Sequence, residues 1–103
     1  MNNEIVSQDA SAAVIHPAGD LVAAMLPALR STLREMVESG TRHLTVDLTA
    51  VNAVDSAGIG LLISAHNSLK RADGELKVIH ASADILELFR TMRIHQHFSV
   101  SGN

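Results

Sequence analysis

The sequence predicts an α/β fold, a single domain over residues 4–100 with a mixed sheet of four to five strands and three main helices. Three observations predict it. Two short β-capable runs near the start are separated by a polar stretch, which reads as a hairpin. Further on, strand-length runs at His43–Leu48 and Leu76–His80 alternate with helix-length apolar stretches, which implies parallel βα units joined by right-handed crossovers. Proline or glycine punctuates several of the boundaries.

The hairpin is built from Ile5-Val6 and Ala12–His16, with Ser7–Ser11 between them. Pro17-Ala18-Gly19-Asp20 stops the second strand, since proline has no N–H to give a ladder. From Ala24 to Ser39 the residues Leu26, Leu29, Leu33, Met36 and Val37 recur at spacings of three and four. This predicts an amphipathic helix with Pro27 in its first turn and Gly40 closing it. The strand His43–Leu48 leads through a short loop to a second helix, about residues 57–72, that ends at Asp73-Gly74. Leu76–His80 is the next strand. Ser82 is placed to cap a third helix whose apolar face is Ile85, Leu86, Phe89 and Met92. Phe98 and Val100 suggest a short last strand, and residues 101–103 read as a frayed end.

Composition narrows the chemistry. The chain of 103 residues is 47% hydrophobic but has only two aromatic residues, Phe89 and Phe98, so its core is aliphatic. It has no cysteine, which excludes a disulfide, a thiolate metal site and thiol catalysis. A net charge of −3 without a Lys/Arg cluster argues against nucleic acid and anionic membranes as partners. No apolar stretch approaches the ~20 residues that cross a bilayer, and Met1-Asn2-Asn3-Glu4 lacks the basic start of a signal peptide. A cytoplasmic protein is expected, with no cofactor and no metal. Among six histidines, His95 and His97 could align on one strand face, but they lack the companion ligands that complete a site. His66 is expected at the margin of the second helix or hydrogen-bonded to the sheet.

The functional interest lies where the strand hands the chain to the second helix. Free N–H groups and the helix dipole make that junction the best place in the chain for a phosphate, a carboxylate or the acidic edge of a partner. Ser56 or Asp55 caps the helix, and Ser56 is also a phosphoacceptor candidate. Gly58 and Gly60 either admit a neighbouring backbone or keep the entrance clear for a ligand. The exposed side of the helix is expected to carry Ser64, Asn67, Ser68 and Lys70 beside Ile59 and Ile63, a natural binding face. A triad of Ser56, a histidine and Asp47 or Asp20 can be drawn, but no G-x-S-x-G elbow surrounds Ser56 and an enzyme is not expected.

The run Asp55-Ser56-Ala57-Gly58-Ile59-Gly60 resembles the D-S-[ST]-G-[LI]-G signature of the STAS domain, which includes the bacterial anti-sigma factor antagonists. The resemblance extends to Val46-Asp47-Leu48 and Gly19-Asp20-Leu21, and the order of elements fits from about residue 4 to 100. It implies a regulatory module that binds an anti-sigma factor or a related ATP-binding serine kinase, as a monomer or weak homodimer. It places partner contacts at Asp20, Asp55, Ser56, Ala57, Gly58, Ile59, Gly60 and Ile63. Two positions depart from the pattern. Ala57 stands where the family usually has its phosphoacceptor, and Val22 follows Gly19-Asp20-Leu21 where the family commonly has a second acid. The departures imply that Ser56 has taken over the modification or that the chain is a constitutive, unphosphorylated scaffold subunit, for example of a chemosensory or lipid-transport assembly.

Overall fold

A computed structural model describes residues 4–9 and 11–102, and for the first of these ranges the backbone alone. Its elements run β1 (Glu4–Asp9), β2 (Ala12–His16), α1 (Leu26–Glu38), β3 (His43–Asp47), α2 (Ser56–Arg71), β4 (Glu75–Ala81), α3 (Ala83–Thr91) and β5 (Ser99–Gly102). The five strands lie in sequence order, β1 antiparallel to β2 and every later pair parallel. Right-handed crossovers that always step the same way across a sheet put every helix on one face. The burial pattern agrees with that placement.

Ala13, Leu44 and Leu76 are register partners across β2, β3 and β4, as are Ile15, Val46 and Val78, and all six are buried. They join Leu29, Leu33 and Met36 of α1, Leu62 and Leu69 of α2, and Ile85 and Phe89 of α3 in one core. The alternate strand positions, among them Val14, His43, Thr45, Glu75 and Lys77, are exposed or half-buried, so the other face of the sheet is open. Helices therefore cover one side only, in a two-layer arrangement.

Several expected boundaries shift by a residue or two. Ala23–Met25 forms a separate 3-10 turn ahead of α1, which begins at Leu26 with Pro27 in its first turn. Gly40 follows α1 at φ 107°, a left-handed conformation that glycine takes without strain. The expectation of a frayed end at Ser101 and Gly102 is overturned, because both belong to β5 and Gly102 pairs with Ala81. Asn103 lies outside the described residues. His95 and His97 do not share a strand face either. His95 lies in a 3-10 turn, Ile94–Gln96, and His97 caps it, following Arg93 in a left-handed conformation.

Candidate functional site

The loop after β2 and the loop after β3 meet at the C-terminal end of the parallel strands. Leu21 and Val54 form a one-residue parallel bridge, with Leu21 N–H donating to the Ala53 carbonyl at 3.0 Å and Asp55 N–H to the Leu21 carbonyl at 3.1 Å. Asp20 reinforces the junction. Its Oδ1 accepts from the Asn52 amide at 2.8 Å and the Ala53 amide at 3.2 Å. A short acidic side chain after a glycine is well suited to this, because it captures amides of a neighbouring loop that lack strand partners.

Asp55 is the N-cap of α2. Its Oδ1 accepts from the Gly58 amide at 2.8 Å, and its Oδ2 accepts from the Ala23 amide at 3.0 Å. One carboxylate thus caps α2 and ties down the 3-10 turn before α1. The Gly58 amide first, then the Ala23 amide, holds this carboxyl below its ordinary value of 3.8. The helix entrance is therefore not a bare anion site as the sequence suggests. Asp55 already sits where an external phosphate would be drawn.

With Asp55 as the cap, the Ser56 side chain is exposed and its hydroxyl makes no hydrogen bond among the described residues. Ala57 and Gly60 are exposed beside it. Nothing lies within 4 Å of where a Cβ on Gly60 would stand. Gly58 is the opposite case. It is buried, and a Cβ there would fall on the Leu21 carbonyl oxygen and lie 3.0 Å from Val54 Cγ1. Of the two expected roles for these glycines, close packing belongs to Gly58 and a clear surface to Gly60.

Ile59 is corrected more sharply. It is buried at 5% exposure and belongs to the core, so it offers a partner nothing. Its position relative to Leu62 and Leu69 turns it inward, while Ile63 is half-buried at the margin. The exposed stripe of α2 is Ala57, Gly60, Ser64, Asn67 and Arg71, at successive spacings of three and four. Lys70 is exposed beside it and Ser68 half-buried. Exposed Met25 lies at the end of the 3-10 turn that Asp55 secures, a surface residue the sequence reading overlooked.

A second polar group was also missed. Asp47, at the end of β3, accepts from the Thr49 amide at 2.9 Å, from the Thr49 hydroxyl, and pairs with His80 Nδ1 at 3.1 Å. The Asp-x-Thr turn is a legible signal. His80 is not, because it reaches Asp47 from a left-handed backbone at φ 56°, inside the irregular stretch of the β4–β5 ladder. Partial burial raises the Asp47 pKa, but the two Thr49 bonds and His80 outweigh it, leaving it below 3.8. A carboxyl depressed by folding contributes stability above its unfolded value that is lost as pH falls through the folded one. Asp47→Asn is therefore expected to flatten the loss of stability below about pH 4, read from urea midpoints across pH.

His66 sits half-buried against Phe98, ring centroids 5.7 Å apart. Its Nδ1 is buried without a partner, so the expected bond to the sheet is absent. Desolvation first, then Lys70 and His97, pushes its pKa below 6.5. Among the described residues no group of three or more His, Asp or Glu could hold a metal ion, and no helix is long and apolar enough to cross a membrane.

The model of the family described as "Mlab, STAS domain" matches residues 5–100. The anti-sigma-B factor antagonist of Staphylococcus aureus is 35% identical over 71 residues, covering 69% of this chain and 66% of that protein. The protein of the same name from Listeria monocytogenes is 30% identical over 86 residues, covering 84% of this chain and 75% of that one. Among solved structures, an anti-sigma factor antagonist from Mycobacterium paratuberculosis superposes with a TM-score of 0.86 at 18% identity, over 99% of this chain and 86% of that one. The phosphorylated form of the Bacillus cell fate determinant SpoIIAA superposes with a TM-score of 0.75 at 14% identity, over 95% and 89%. At such identities these two likenesses concern the fold, whereas the matched residues 5–100 concern descent. The chain belongs to the STAS domain family and is similar to anti-sigma factor antagonists within it.

Proposed function

We propose that this chain is a non-enzymatic cytoplasmic regulator that binds an anti-sigma factor, or a related ATP-binding serine kinase, through the start of α2. The observation that supports this most is the division of labour at that turn. Asp55 caps α2 internally through the Gly58 amide, which leaves Ser56, Ala57 and Gly60 exposed on a surface unobstructed by the protein's own side chains. Relatives named for antagonising an anti-sigma-B factor supply the class of partner. Asp20 and Asp55 shape the surface from within, and Ile63 forms its apolar edge.

Ser56 is the proposed phosphoacceptor. Its hydroxyl is uncommitted, and a phosphate there brings a charge of about −2 next to Asp55, whose carboxylate already holds the favourable amides. Repulsion and bulk then detach the partner without unfolding the helix. The test is incubation with an anti-sigma-type kinase and ATP, followed by mass spectrometry. A single phosphate on Ser56, absent from Ser56→Ala, is expected, and complex formation without any mass gain removes the switch but keeps the docking.

A second reading has its own support. Ala57 is exposed at the position that carries a hydroxyl in the signature, so the surface also fits a constitutive scaffold subunit with no phosphoswitch. Equal partner affinity for wild type and Ser56→Asp is the outcome that favours it.

A further inference from the structure

Arg30 and Arg34 stand one turn apart on α1, and Arg71 ends α2. All three are exposed and rim a trough of about 440 Å³ between the helices. The floor is apolar, formed by Leu33, Leu61 and Ala65. Both helices lead from the end of one parallel strand back to the start of the next, so they run side by side in the same direction. The trough therefore follows their axes. Arg30 and Arg34 line one bank at helical spacing, and Ser64, Ser68 and Arg71 line the other.

The charge of this trough opposes that of the whole. The chain carries −3, yet three of its eight lysines and arginines converge here. Glu38 is the one carboxylate among the lining residues, and α2 contains none. Among the described residues none of the three arginines forms an ion pair, and Arg71 reaches only the Ser68 hydroxyl, at 3.4 Å. Three guanidinium groups against one carboxylate around an apolar floor repel one another and are relieved by carboxylates brought from outside. A helix is the peptide form whose side-chain period matches two helical banks, with an apolar stripe for the floor and acidic flanks for the rim.

We infer that the α1–α2 trough receives an acidic amphipathic helix of a partner protein, its apolar stripe on Leu33 and Leu61 and its carboxylates against Arg30, Arg34 and Arg71. This surface is separate from the α2 entrance. Ser64 to Arg71 lie roughly 12–22 Å further along the helix than Ser56, so the inference does not rest on the function proposed above.

The test titrates the full chain, by fluorescence anisotropy, into three synthetic helices of about four turns. One is acidic with a leucine stripe, one has its glutamates replaced by lysine, and one keeps the glutamates but has glutamine and serine in place of the stripe. Saturable binding of the first alone is expected, weakened at least about tenfold by Arg30→Glu with Arg34→Glu and by high salt. Lys77→Glu, on the open face of the sheet, is expected to leave it unchanged. Amide shifts should fall on residues 30–38 and 61–71. Arg71→Glu, on the other helix, provides a second loss-of-binding variant should circular dichroism find the double variant misfolded. Absence of saturation, equal binding of the basic or stripeless helix, full affinity in the arginine variants, or shifts confined to residues 56–60 overturns the inference.

Discussion

Gly58→Ala is expected to lower the free energy of unfolding by about 2–3 kcal/mol, and Gly60→Ala, two residues on, to raise it by up to about 1 kcal/mol. Both exchange glycine for the best helix former inside α2, so propensity alone predicts a gain at each. Packing reverses the sign at one of them. A methyl group on Gly58 meets the Leu21 carbonyl oxygen, a backbone atom fixed by its bond from the Asp55 amide, and cannot be accommodated unless the two loops part. At Gly60 the same methyl meets nothing. Urea denaturation of the two variants, with m-values compared, reads the effect directly. Two stabilising substitutions would mean that the Leu21 bridge is not held as described.

Gly60→Arg is expected to leave the fold intact and weaken partner binding by about a hundredfold, or about 2.7 kcal/mol. The position is exposed and its surroundings are empty, so a long side chain is tolerated by the free protein. In a complex that side chain projects from the middle of the exposed stripe between Ala57 and Ser64. A bulky cation there displaces the partner's backbone from the place that two small side chains leave for it. Calorimetry against an ATP-binding anti-sigma kinase measures the loss, and unchanged thermal unfolding separates it from misfolding.

Much of the architecture could be read from the chain. The hairpin, the three helices, the parallel units and the Ser82 cap all follow from period and punctuation, and Ser82 does accept from the Ile85 amide at 3.2 Å. What escaped reading depends on contacts between distant segments. Dense apolar residues early in α2 do not reveal which of them turn inward, so Ile59 reads as part of the binding face when the core takes it. The pattern also leaves open whether Asp55 or Ser56 is the cap. That choice is settled by Ala23, 32 residues away, whose amide occupies the second oxygen of Asp55. His80 carries no local signal for a left-handed conformation, and the last strand, which excludes Phe98, is held by pairing to β4 rather than by its single apolar residue, Val100. The Arg30, Arg34 and Arg71 trough was invisible for the same reason, since its banks come from separate helices.

The docking surface itself is most directly tested by hydrogen–deuterium exchange of the complex with an ATP-binding anti-sigma kinase. The Ser56 and Ala57 amides at the helix entrance, and those of the 3-10 turn that leads to Met25, should gain protection on binding. Protection confined to the open face of the sheet, at residues 12–16 and 43–47, with residues 56–60 exchanging as in the free protein, would contradict it.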